Sequence, residues 1–353
     1  MQIDTNRANL LVTGGAGFMG SCFIRQLLKD PLFTGKIVNL DALTYSGNLD
    51  NLAGYENDPR YLFVKENILN QKLVEKLLFE EKIDAIVHFA AETHVDRSIS
   101  DASAFMQTNV LGTAALLEAV RKYPNVHFHH ISTDEVYGAL GDTGSFSENS
   151  SYLPNSPYAA SKAASDHFVR AYGKTYGIST TISHAGNNYG PCQYPEKLIP
   201  FMLTQLLKKG PLPLYGKGDN VRDWLFVEDH AKAVRLILEK GKPSEVYNIA
   251  SSQEISNLGL VKLIIKLFAR KTNSSIEELE SKITFVEDRP GHDYRYSMNT
   301  NKIADEVGFV PKYALQEGLS ETVSWYLENT GWLKNVLNEE YNTWVKSQYE
   351  ACK

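Results

Sequence analysis

An apolar run, residues 9–13, breaks at Gly14-Gly15-Ala16-Gly17-Phe18-Met19-Gly20, and a helical pattern then runs to about Lys29. A buried strand followed at once by spaced glycines and a helix leaves few ways to fold. Gly14 makes the tight turn, Gly17 lets the backbone approach an anion, and Gly20 lets the helix pack closely, so a helix N-terminus faces a phosphate-sized group. A second strand, residues 36–40, ends at Asp41, where a carboxylate accepts from ribose hydroxyls and repels a 2'-phosphate. The pattern predicts NAD rather than NADP, held by Gly14, Gly17, Phe18, Met19, Gly20 and Asp41; the plainer reading of Asp41 is a turn acid.

Strands alternate with helices for the next 150 or so residues, roughly the length of one domain. Residues 61–65 form a strand, with Asn67 and Ile68 placed to bracket an adenine. Residues 83–89 form the next and run into His88–Ser98, where Ala90 and Ala91 permit close backbone approach. A helix over 102–122 carries Phe105, Val110, Ala114, Leu117 and Val120, enough to cover a sheet and offer part of itself to a partner subunit. The run 126–132 reads as a strand, 138–157 as a Gly, Ser, Asn and Pro-rich loop or lid over a cleft, 158–176 as a helix and 180–185 as a strand. The fold class is therefore α/β, a Rossmann-type parallel sheet flanked by helices.

Beyond about Pro191 the alternation loosens. Helices are expected near 196–209, 231–240, 257–270 and 315–328, with a short strand at 245–250. The expected division is 1–190, a cofactor domain bearing the catalytic residues, and 191–353, a smaller C-terminal substrate-binding domain with some elements returning to the first.

Two stretches carry the chemistry: Ser132-Thr133-Asp134-Glu135-Val136-Tyr137-Gly138 and Tyr158-Ala159-Ala160-Ser161-Lys162. Tyr158 and Lys162 share a helix face, so a cationic Lys162 is expected to lower the Tyr158 pKa and let the phenol exchange a proton with a substrate hydroxyl. Thr133, at a strand's end, shares that oxygen. Such a spacing arises in any helix with a polar face, and acids most often cap a helix or meet water. Set beside the glycine loop, however, Asp134 and Glu135 point to one further proton removed and one leaving group protonated.

The 353 residues carry 36 lysines and arginines against 42 acids, a formal charge of -6, with no basic tract to suit nucleic acid. Cys22, Cys192 and Cys352 match no metal spacing and no disulfide framework, so no metal is expected. The N-terminus leads directly into a strand, and no apolar run reaches membrane-spanning length. A cytoplasmic protein is expected.

The stretches 13–20, 41–48 (Asp-Ala-Leu-Thr-Tyr-Ser-Gly-Asn), 88–98, 132–138, 158–162, 187–200, 220–230 and 288–293 together resemble the dTDP-glucose 4,6-dehydratases of the extended short-chain dehydrogenase/reductase family. The likeness spans nearly the whole chain. It implies NAD, a homodimer, and a nucleotide-sugar substrate. Tyr158 takes the 4-hydroxyl proton, with Lys162 and Thr133 assisting, Glu135 removes the C5 proton, and Asp134 protonates the departing 6-hydroxyl. His88, Thr133, Asn188, Glu196, Lys197, Leu198, Arg222, Asn257, Arg289 and His292 are implied around the substrate, and Ala90, Asn67 and Ile68 around the cofactor. On the residues alone, Arg222 suits a diphosphate or a surface ion pair equally.

The chain departs from the family pattern at Asn67, usually aspartate, at His184 and Ala185, usually Arg and Cys, and at Tyr294, often Arg. The last three are expected on the nucleotide side. A UDP-sugar 4,6-dehydratase, a nucleotide-sugar 4-epimerase and a non-catalytic NAD-binding regulator are the competing readings.

Overall fold

In β1 (Leu10–Thr13) every side chain is buried, with Leu10 and Val12 on one face and Leu11 on the other. Continuous apolar strands of this kind need helices on both faces. The computed structural model describes residues 2–349; Cys352 lies outside them. It continues with β2 (Ile37–Asp41), β3 (Tyr61–Lys65), β4 (Ala85–His88), β5 (His127–Thr133) and β6 (Thr180–Ala185). Then come β7 (Asn187–Tyr189), β8 (Leu212–Tyr215), β9 (Val221–Phe226), β10 (Val246–Ile249), β11 (Glu254–Ser256) and β12 (Ile283–Val286).

Seven strands form the main sheet in the order β10-β6-β5-β4-β1-β2-β3, with every pairing parallel. The order reverses between β1 and β4, which opens a crevice at their C-terminal ends. Leu10, Val12, Ile37, Val87 and Ile131 pack with helices Phe18–Lys29 and Val227–Lys240, while Leu11, Val38, Ile86, Phe128 and Ile182 pack with Gln71–Glu80, Thr113–Arg121 and Pro157–Tyr176.

Strand β5 is less apolar than a buried strand should be, because three of its residues are histidines. Hydroxyls on and beside β6 make this possible: His127 bonds Ser179 and Thr181, each at 2.9 Å, and His129 bonds Thr181 at 2.8 Å and Ser183 at 3.2 Å. Burial keeps these rings neutral and pushes His127 down to about 4.

The second core is built on β7, β9 and β11, on the β8–β12 pair, and on helices Leu198–Leu207, Asn257–Thr272 and Leu315–Glu328. Trp224, Phe201, Ile264, Leu319 and Tyr326 fill it. From this second half of the chain, β10 and helix Val227–Lys240 return to the main sheet.

Two local expectations need correction. The helix expected from 231 starts at Val227, directly after β9. The second concerns residues 138–157, which do not cover the cleft. Leu140 and Phe146 bridge to Arg295 and Met298, Phe146 stacks on Tyr137 at 5.1 Å, and the described residues of this stretch stay outside the cavity walls. Buried aromatic contacts pin the stretch despite its loop-like composition.

Candidate active site

At the C-terminal edge of the main sheet lies a cavity of about 400 Å³, within the range of small-ligand sites. One side is backbone. Gly14 sits at φ 71°, and a Cβ there would lie 2.6 Å from the Ala90 nitrogen, so only glycine fits. A Cβ on Gly20 would meet the Gly14 carbonyl at 2.4 Å. Gly17 caps the helix Phe18–Lys29 without a side-chain bond, which leaves its first-turn N–H groups for an anion. Asp41 accepts from Ala16 N–H at 2.9 Å and Leu43 N–H at 2.8 Å, bonds that oppose the rise in its pKa from burial. With one bond on each oxygen, lone pairs remain for ribose hydroxyls. Phe18, Met19, Asn67, Ile68 and Ala90 also line this side, so a dinucleotide fits the residues present.

The middle is formed by the end of β5 and the start of the next long helix. Thr133 donates to Asp134 Oδ1 at 3.2 Å and accepts from the Glu135 N–H at 3.3 Å, which folds the acids into a short turn at the strand's end. Ser156 caps the helix Pro157–Tyr176, placing Tyr158 in its first turn and Lys162 one turn on, both in the wall. Lys162 is 3 % exposed and donates to the Ile131 carbonyl at 2.8 Å.

The two carboxyls differ. Burial, reinforced by the neighbouring Glu135 charge, pushes Asp134 up to about 8. Glu135 is also raised by burial, but Arg289, Lys197 and Arg222 oppose that rise. Asp134 is thus suited to give a proton at neutral pH and Glu135 to take one. Burial pushes Lys162 down to about 8. For Tyr158 the structure reverses the expected direction, since burial and the Glu135 charge push the phenol up against the opposing hydrogen bond of the Thr133 hydroxyl. Lys162 directs its ammonium at Ile131.

The far side is built from side chains that converge from distant segments. Asn188, Glu196, Lys197, Leu198, Arg222, Asn257, Arg289 and His292 all line it. Arg289 pairs with Asp96 at 3.0 Å, Lys197 donates to Thr93 O at 2.6 Å, and Glu196 accepts from Tyr45 at 2.8 Å. Arg222 lies over Tyr296 at 4.3 Å and gives its fork to the carbonyls of Val221, Asp293 and Tyr294, an anchored cation and not a surface ion pair. Several polar atoms here have no partner, among them Asn188 Oδ1, Asn257 Oδ1 and Arg289 Nε. Such buried atoms suit a polar ligand.

His88 is misplaced by the sequence reading. Its ring bonds Thr13 at 2.7 Å and Thr113 at 3.0 Å beneath the cavity and forms no part of the wall. Nor do His184 and Tyr294 face a nucleotide: His184 is buried against Asp166, Tyr137 and Tyr152, and Tyr294 is exposed and bonds Asp142. Conversely, Gln193, Pro213, Leu214, Tyr215 and Trp224 line the cavity and were missed, whereas the adjacent amides Asn187 and Asn188, expected to point at the site's occupant, both line it. Among the described residues there is no His, Cys, Asp and Glu group suited to a metal, and no helix long and apolar enough to cross a membrane.

A family model described as GDP-mannose 4,6 dehydratase matches residues 11–322. A dTDP-glucose 4,6-dehydratase of Xanthomonas campestris pv. campestris (strain B100) is 48 % identical over 95 % of this chain and 97 % of its own length. The chain belongs to the dTDP-glucose 4,6-dehydratase family. Solved structures agree. The family's enzyme from Bacillus anthracis str. Ames, in complex with NAD, is 47 % identical with a TM-score of 0.85, covering 93 % of this chain and 99 % of that one. The dTDP-glucose 4,6-dehydratase from Streptomyces venezuelae with NAD and TYD bound is 46 % identical with a TM-score of 0.87 and the same coverage. Members of the dTDP-glucose 4,6-dehydratase family thus share the fold around this cavity.

Proposed function

We propose that the chain converts dTDP-glucose to dTDP-4-keto-6-deoxyglucose and water, with NAD bound along the glycine loop and Asp41. The carrying observation is the pair of unlike carboxyls, Asp134 raised to about 8 and Glu135 faced by three cations, beside Tyr158 in one cavity. A reaction confined to C4 has no use for both.

NAD, when bound, would supply the hydride acceptor for C4, the return of that hydride to C6, and a positive ring charge. Tyr158 acts as the phenolate, with Lys162 as the cation that offsets its burial: its Oη takes the 4-hydroxyl proton, with the Thr133 hydroxyl on the same oxygen. Glu135 takes the C5 proton, acidified by the C4 ketone. Asp134 gives its proton to the 6-hydroxyl, the C6–O bond breaks and water leaves. Glu135 returns its proton to C5 as C6 gains hydride. Arg222, Arg289 and Lys197 supply cations for the diphosphate.

Exposed Ile99, Met106, Leu111 and Phe168 on helices bordering the main sheet support a homodimer. The reading also places the enzyme in the cytoplasm. Mass spectrometry after incubation of dTDP-glucose, and separately UDP-glucose, with enzyme and catalytic NAD tests the function. Loss of one water, faster from the thymidine nucleotide, is expected; C4 inversion at constant mass would overturn it.

A further inference from the structure

Below the proposed catalytic pair lies a charged group that the mechanism leaves unused. Asp166 follows Lys162 by one helical turn and is 2 % exposed. Its Oδ2 accepts from Ser132 Oγ at 2.9 Å and lies 3.0 Å from His184 Nε2, while its Oδ1 lies 3.3 Å from His130 Nε2. That same His130 nitrogen is 3.4 Å from Lys162 Nζ. A single imidazole nitrogen therefore approaches both a buried carboxylate and a buried ammonium, and two of the Asp166 partners, His130 and Ser132, flank the residue whose carbonyl receives Lys162.

Other groups near Lys162 do not offset its charge. His88, on β4, is buried and kept neutral; His130, on β5, is pushed down to about 4 by burial; Tyr158, on the same helix, is pushed up and carries no charge in the ligand-free protein. His184, on β6, meets Asp166 and the phenols of Tyr137 and Tyr152. Against burial, the adjacent His130 and His184 rings hold Asp166 well below the usual carboxylate range, so it is ionised throughout the working pH. A buried ammonium without a counter-charge loses its proton readily.

We propose that Asp166 is a positioning residue for the reaction: through its charge and the His130 ring it keeps the Lys162 ammonium charged and anchored at Ile131, beneath Tyr158. The inference rests on the roles proposed above for Tyr158 and Lys162. It also explains why an acid, two imidazoles and a serine hydroxyl occupy space that apolar packing would otherwise fill. Replacing Asp166 leaves the burial of Lys162 unchanged and removes the charge that opposes its effect.

The ligand-free protein, labelled with ¹³C at the lysine ε-carbon, permits a direct NMR titration, with the Lys162 signal assigned by its loss in Lys162→Arg. Wild type should titrate near 8. Asp166→Asn should titrate lower by ~1 pH unit or more, and Asp166→Glu should stay near wild type. In turnover, the alkaline limb of kcat should move down with the Lys162 midpoint in Asp166→Asn while KM holds; a merely structural role would lower the folded fraction without moving either midpoint. Should Asp166→Asn fail to fold, His130→Leu, on a different element, is expected to lower both the midpoint and kcat. A folded variant of either kind with the wild-type midpoint would overturn the inference. Absence of water loss by wild type would instead sink the functional reading and leave the titration standing.

Discussion

The two sides of the cavity solve recognition differently. On the glycine-loop side, Gly14, Gly17, Gly20 and Ala90 contribute backbone and the absence of side chains, with Asp41 the carboxylate among them. On the other side, Lys197, Arg222 and Arg289 bring cations from separate segments and are themselves held by Thr93, by carbonyls of Val221, Asp293 and Tyr294, and by Asp96. A backbone site cannot be changed without changing the fold around it. A side-chain site can be changed one contact at a time. Thr133, Asp134, Glu135 and Tyr158 stand between the two, where chemistry needs both to be filled.

The comparison predicts a graded set of effects. Glu135→Gln, at the junction, should cut water loss by ~10³-fold while still permitting C4 oxidation, seen as absorbance near ~340 nm; unchanged water loss would remove Glu135 from its role. Gly14→Ala should cost ~2 kcal/mol or more of stability, since its φ is 71° and the Cβ meets the Ala90 nitrogen at 2.6 Å. Cofactor affinity should fall with the melting temperature. A stable variant that binds NAD normally would break the contrast between the two sides.

Arg289→Ala should raise KM for the nucleotide sugar by ~10 to 100-fold and lower the melting temperature, because buried Asp96 loses its partner, with cofactor affinity nearly unchanged. Equal losses on both sides would show that the halves are not separable. The pH profile sharpens the contrast further. Asp134 must hold its proton and Lys162 its charge, and both lose a proton near 8, so kcat should fall above that pH more steeply than one titration allows. On the acid side kcat should fall as Glu135 takes up a proton, above the usual carboxylate range. The smallest effect is expected from Asp41→Asn, which should narrow the preference for NAD over NADP by ~1 kcal/mol.

This division also governs what the sequence disclosed. The glycine loop, Asp41, the end of β5 and the Tyr158–Lys162 turn are local patterns whose geometry follows from strand and helix periods. His88 misled because it ends a strand at the right edge, yet the two-residue alternation turns its ring down between Thr13 and Thr113. Pro213, Leu214, Tyr215 and Trp224 left no local sign. They reach the cavity only because β8 pairs with β12 and β9 with β7, contacts that no short window contains. Tyr158 is a further case, since spacing alone suggested a lowered pKa, whereas burial and the adjacent Glu135 act in the opposite direction.

Isotope tracing tests the central claim most directly. With dTDP-glucose deuterated at C4 and incubated with enzyme and NAD in ordinary water, the account predicts a dehydrated product carrying deuterium at C6. A dehydrated product without the label at C6, or a labelled sugar of unchanged mass inverted at C4, would contradict it.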